Sequence, residues 1–123
     1  MTTNSGDEYI HGTDRDEQSR LAMLNRLLNQ QSMLRLSPRE GDRVLDVGCG
    51  FGLFANEIAE RVGTAGAVVG IEREAAQIEE GKRLAVVHGL ADRADIRHGD
   101  AYAFPLRDDE WGSFDIAHAR FVL

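Results

Sequence analysis

The residues best suited to chemistry stand together in Asp46-Val47-Gly48-Cys49-Gly50-Phe51-Gly52. The apolar run RVLDV from Arg43 precedes them, and LFANEIAERV follows, with Phe54, Ile58 and Val62 recurring every four residues. That order is strand, glycine turn, helix, the setting in which a glycine pattern gains meaning. Glycine admits positive φ and lets a ligand lie against bare backbone. A tight strand-to-helix turn with no ligand is the plainer reading of the same residues.

Charge narrows what such a loop would hold. A dinucleotide fingerprint, G-x-G-x-x-G or A, rests a pyrophosphate on the helix N-terminus. Here Leu53 fills the third glycine position, and Asp46 stands two residues before the first glycine, where its charge opposes a phosphate. S-adenosylmethionine has no phosphate and carries a sulfonium and an ammonium, so an anionic rim favours it and disfavours NAD. Glu72, about 20 residues after the loop at the end of the next strand, is placed to accept hydrogen bonds from ribose hydroxyls. Asp100, in His98-Gly99-Asp100-Ala101, is placed to accept from an adenine amino group while the Ala101 N–H faces a ring nitrogen. Each acid also has a structural reading: a surface carboxylate beside Arg73 for Glu72, and an Asx turn for Asp100.

Other reactive residues form no second centre. Cys49 is the single cysteine and reads as a small filler inside the loop, with no His or Lys to lower its pKa. His118 is the best-placed base for deprotonating an acceptor hydroxyl or amine, with packing or a plain hydrogen bond as the alternative. His11, His88 and His98 have no ligand spacing, so no metal site is expected.

The elements that position these residues follow from periodicity and punctuation. Residues 1 to 12 are polar and aperiodic and read as a mobile arm. Thr13 with Asp16 has capping-box spacing and opens a helix with Leu21, Leu24, Leu27 and Leu28 along one stripe, closed by Ser37-Pro38. Past the loop, Gly63 ends the second helix, and AVVGI at 67 to 71 is a strand covered on both faces. A third helix runs from about Glu74 to His88, with Gly89 as its left-handed cap. ADIRH is a polar edge strand, LRDDEWGS an acidic solvated loop with Trp111 capping an apolar edge, and FDIAHA a fourth strand. The expected fold is α/β, a Rossmann-like doubly wound parallel sheet of four strands. It divides into an arm and helix over residues 1–36 and a cofactor-binding region over 37–123.

Composition bounds the function. With 42% hydrophobic and 28% charged residues, the chain is an ordinary single globular domain. A net charge of -7 without clustered Lys or Arg argues against nucleic acid. No apolar run reaches a membrane span, and a lone thiol without a leader at Met1 suits the cytoplasm.

The motifs VLDVGCGFG, VVGIE, GDAYAFP and FDIAHAR together resemble the successive cofactor motifs of class I S-adenosylmethionine-dependent methyltransferases, over roughly residues 43 to 123. The N-terminal TyrIleHisGly and GluGlnSerArgLeu segments look, more loosely, like the lead-in of small-molecule methyltransferases related to ubiquinone and menaquinone biosynthesis enzymes. The resemblance implies that Asp46 and the backbone of Gly48, Cys49, Gly50 and Gly52 hold the methionyl part of S-adenosylmethionine. It also implies Glu72 on the ribose, Asp100 and Ala101 on the adenine, and the main chain near Ala119 on the methionyl ammonium, with Tyr9 folding over the cofactor. The product would be S-adenosylhomocysteine, and the acceptor a small molecule. The family's sheet has seven strands in the order 3-2-1-4-5-7-6, of which this chain supplies the first four. Strand 4 would then be an open apolar edge ending in Phe121, Val122 and Leu123. A homodimer through that edge is one expectation, and a non-catalytic S-adenosylmethionine-binding or interaction module is the alternative function.

Overall fold

The computed structural model describes residues 5–100 and 102–119. They form two compact units, Met1–Arg35 and Leu36–Leu123. The first consists of helix α1, Ser5–Leu36. It starts well before Thr13, so residues from Ser5 onward are helical rather than an arm, and the proposed capping pair Thr13 and Asp16 lies inside it. The helix stops before Pro38, at Ser37, whose φ is 43°.

The second unit is a parallel sheet of four strands in the order β3-β2-β1-β4. Strand β1 spans Arg43–Val47, β2 Ala67–Glu72, β3 Ala94–His98 and β4 Ile116–Ala119. Helix α2, Leu53–Val62, connects β1 to β2, and α3, Ala75–Val87, connects β2 to β3. Glycine ends both helices as expected. Gly63 donates its N–H to Ala59 at 3.2 Å, and beyond α3 Leu90 N–H reaches Ala85 at 2.8 Å across Gly89, whose φ is 71°. Both crossovers step the same way along the sheet, and the chain then returns past β1 to form β4. That reversal makes the gap between β1 and β4 a topological switch point, where ligands of open α/β sheets bind.

Side chains alternate across the sheet and so sort the core into two sides. Leu45, Val69 and Ile71 form one cluster, covered by Val47, Phe104, Leu106 and Phe114. Val44 and Val68 point the other way, and with Ile58 and Val62 of α2 they are fully buried. Strand β4 begins at Ile116 rather than Phe114 because the preceding residues serve as its anchor. Asp115 exchanges two 2.8 Å bonds with the Arg43 backbone, donating its N–H to the carbonyl and accepting the Arg43 N–H on Oδ2. The Arg43 guanidinium lies over the Phe114 ring at 5.3 Å.

The acidic loop is not wholly solvated. Asp108–Glu110 form a 3-10 turn, and Glu110 is buried at 3% exposure. Its carboxylate accepts from Arg97 Nη1 and Nη2 at 2.7 and 2.8 Å and from the Arg107 N–H at 2.8 Å. These bonds hold its carboxyl down at about 2, the Arg97 hydrogen bonds being the main cause. Arg97 also donates to the Pro105 carbonyl at 2.8 Å, so one guanidinium ties β3 to the segment that covers the sheet. Trp111 stacks on Phe104 at 6.0 Å between ring centres and stays more than half exposed.

Candidate functional site

The carboxyl ends of β1, β2 and β4 and the turn after β3 lie along one end of the sheet, and the glycine loop runs across it. Gly48, Gly50 and Gly52 have φ of 76°, 60° and 83°, a conformation that L side chains resist. Gly48 and Cys49 both donate their N–H groups to the Ile71 carbonyl, at 2.8 and 3.1 Å, which fastens the loop to β2. A Cβ on Gly50 would meet nothing within 4 Å, so the loop is open there. At Gly52, the residue that caps α2, a Cβ would stand 2.9 Å from Ile96 Cδ1.

Glu72 reaches back to this loop from the end of β2. Its Oε1 accepts the Gly50 N–H at 2.9 Å and its Oε2 the Glu74 N–H at 3.0 Å, at the head of α3. Each oxygen keeps a lone pair for a further donor. The surface-carboxylate reading of Glu72 therefore understates it, since the group is fixed by two backbone bonds.

Asp46 is 2% exposed, and its Oδ1 lies 2.9 Å from Nδ1 of His118. The two residues are direct partners in the β1–β4 register. The His118 ring packs 5.0 Å from Phe54 in the first turn of α2. His118 thus joins the loop's acid within the fold, on the helix-covered side of the sheet. Periodicity could not reveal this pairing, because it needs the register of strands 72 residues apart.

Cys49 is a packed thiol. A Cβ on Gly70 would come 2.8 Å from its Sγ, so the sulfur occupies space that glycine leaves on β2. Burial first, and then the charges of Asp46 and Glu72, push its pKa up to about 12. Both carboxylates therefore project their field into the loop. Neither is paired with Lys or Arg among the described residues.

Asp100 forms the Asx turn given as its structural alternative. Its Oδ1 accepts the N–H groups of Tyr102 and Ala103 at 2.9 and 3.0 Å. The turn sits beside Glu72, whose carbonyl accepts the Gly99 N–H at 2.9 Å. Ala119 ends β4 opposite Val47, immediately before the loop, and is exposed. Tyr9 falls within α1, but its side chain lies outside the described residues, as do Ala101 and the Phe121, Val122 and Leu123 of the anticipated apolar edge. Among the described residues no cluster of His, Cys, Asp or Glu could hold a metal ion, and no helix is long and apolar enough to cross a membrane.

Known proteins resemble this chain in sequence and fold. Residues 38–123 match the family model described as a methyltransferase domain. An uncharacterized RNA methyltransferase of Streptomyces coelicolor is 46% identical over 69 residues, which cover 54% of this chain and 14% of that protein. The ubiquinone/menaquinone biosynthesis C-methyltransferase of Roseobacter denitrificans is 31% identical over 94 residues, 76% of this chain and 37% of that protein. The chain therefore spans well under half the length of these relatives. A geranyl diphosphate C-methyltransferase from Streptomyces coelicolor A3(2), crystallised with Mg2+, geranyl diphosphate and S-adenosyl-L-homocysteine, superposes with a TM-score of 0.69 over 82% of this chain and 37% of that one. At 24% identity that likeness concerns the fold alone. With the switch-point loop, the four-strand order and the family match in agreement, the chain belongs to the methyltransferase-domain family and carries its class I, Rossmann-like fold.

Proposed function

We propose that this chain binds S-adenosylmethionine across its glycine loop and serves as the cofactor-binding part of a methyltransferase for a small-molecule acceptor. One observation carries the reading: the buried Asp46 and the fixed Glu72 converge on an open, positive-φ loop at the switch point, with no Lys or Arg pairing either among the described residues. Such a site repels pyrophosphate and favours a cation. The open space over Gly50 and the spare lone pairs of Glu72 fit a ribose lying against bare backbone.

When bound, S-adenosylmethionine supplies a methyl group on a positively charged sulfur, a leaving group that needs no further activation. The chain's residues then have positioning to do. Asp46 and the backbone of Gly48, Cys49, Gly50 and Gly52 hold the methionyl part, and the main chain at Ala119 receives its ammonium. Glu72 accepts from the ribose hydroxyls while keeping Gly50 in place. Asp100 and Ala101 receive the adenine edge, and the Asx turn of Asp100 fixes that loop. Alignment and exclusion of water supply the rate when the sulfur is already activated.

The net charge of -7 supports a small acceptor over an RNA, although four similar proteins are named RNA or rRNA methyltransferases. The cytoplasm suits a protein whose lone thiol is half-buried and un-ionised. Calorimetry tests the cofactor assignment. S-adenosylhomocysteine is expected to bind one-to-one and NAD not at all, and preference for NAD would overturn it.

A further inference from the structure

The pairing of Asp46 with His118 has a functional consequence that neither residue suggests alone. Asp46 is the acid nearest the glycine loop in sequence, and it is buried at 2% exposure. Its partner across the β1–β4 register is an imidazole, with Nδ1 to Oδ1 at 2.9 Å. With the carboxylate ionised, Nδ1 must carry the hydrogen of this contact, which leaves Nε2 as the ring's only proton acceptor. The Phe54 ring at 5.0 Å holds the imidazole from the α2 side.

We propose that His118 is a positioning residue that sets the charge of Asp46, so that one proton on its imidazole controls how strongly the loop attracts the cationic end of the cofactor. The inference rests on the cofactor reading above. With a neutral His118, the pair carries one net negative charge beside the loop, and the Nδ1 hydrogen bond fixes the carboxylate through Oδ1. Uptake of one proton at Nε2 turns the pair into imidazolium and carboxylate with no net charge. The carboxylate is then already neutralised, and the loop loses part of its pull on a second cation. By linkage, bound cofactor opposes that protonation to the same extent.

The other groups around the pair do not substitute for this effect. From β1 and its loop come Asp46 itself and the Cys49 thiol, which is pushed up to about 12 and stays protonated throughout the range in which imidazoles titrate. Glu72 approaches from β2 and is engaged by two backbone N–H groups. Helix α2 presents the uncharged Phe54, while its Glu57, Glu60 and Arg61 are exposed. This geometry makes His118 an orienting group that acts through Asp46 rather than a base that reaches an acceptor directly.

The test is calorimetric affinity of the whole 123-residue chain for S-adenosylhomocysteine between pH 8 and pH 5, for the wild type and His118→Asn. The asparagine amide can donate where Nδ1 does but cannot take up a proton. The wild type should lose affinity toward acid, by up to about tenfold per pH unit on the acid limb for one linked proton. His118→Asn should lose the acid decline whatever its affinity at pH 8, because it retains a donor toward Asp46 without the charge. A merely structural histidine would instead shift affinity equally at every pH. In the wild type, one of the four histidine Cε1–H resonances should titrate at lower pH once S-adenosylhomocysteine is added, a readout that needs no variant to fold. A decline that survives His118→Asn, or histidine titrations that all ignore the ligand, overturns the inference while leaving the cofactor reading standing. Absence of binding at every pH overturns both.

Discussion

Replacing Gly52 with Ala tests whether the glycine loop is held as described. Gly52 has φ 83° and ψ 18° at the cap of α2. Holding an L-residue there costs roughly 1–2 kcal/mol. Reduced freedom of the unfolded chain returns about 0.4–1 kcal/mol. The new Cβ would stand 2.9 Å from Ile96 Cδ1, and Ile96 is itself only 3% exposed, so the methyl must move within a packed core. Relieving that contact adds on the order of 1 kcal/mol, because a terminal methyl gives way more cheaply than backbone. Gly52→Ala should therefore destabilise the chain by about 1–2.6 kcal/mol, read from urea midpoints at a common m-value. The steric part can be isolated. Ile96→Val removes Cδ1 and by itself costs about 0.5–1.5 kcal/mol. The double variant should be less destabilised than the sum of the two by roughly 0.5–1 kcal/mol. Full additivity, or a loss below about 0.5 kcal/mol for Gly52→Ala alone, would refute the geometry.

Three further outcomes follow from the same contacts. The Cys49 thiol, pushed up to about 12, should react with iodoacetamide at pH 8 on the order of 10^3 times more slowly than free cysteine, and should label at the ordinary rate in urea; fast labelling of the folded chain would contradict its burial. Glu110, held down to about 2 in the folded state against an ordinary 4.5, contributes stability that is complete above the ordinary value and is lost as pH falls toward 2. Glu110→Gln should flatten that acid limb of the stability curve, and an unchanged limb would remove the Arg97 pair as its source. Glu72→Ala should weaken S-adenosylhomocysteine binding by about 1–3 kcal/mol, and unchanged affinity would take Glu72 out of the site.

Local signals made most of the α/β unit legible. Strand β1, helix α2, β2, α3 and β3 fall within a residue or so of the expected limits, because glycine at 52, 63 and 89 and short apolar runs mark element ends without tertiary information. The strand order follows from two crossovers and a return past β1. Long-range pairings were what the sequence concealed. Glu110 looked like one more acid in a solvated DDE run, and only Arg97, 13 residues earlier on an edge strand, makes it a buried anchor. His118 looked like an isolated base until register set it against Asp46. The early start of α1 had a different cause. Thr13 and Asp16 have capping spacing, yet the helix passes through them, because a cap-forming pair tolerates helix interior when the residues before it also accept helical geometry. Asp100 shows both outcomes at once, since the Asx turn considered against a binding role is present at the end of the sheet where a ligand loop belongs.

The central claim is that the end of the sheet carrying Asp46, the glycine loop and Glu72 receives S-adenosylmethionine. Amide shift mapping by NMR on the 15N-labelled chain tests it most directly. Added S-adenosylhomocysteine should move the amides of Gly48 to Gly52, of Glu72 to Glu74 and of Gly99 to Ala103, and leave those of β3 and the Trp111 segment nearly still. Shifts confined to the Phe104–Trp111 region, or none at saturating ligand, would contradict the account.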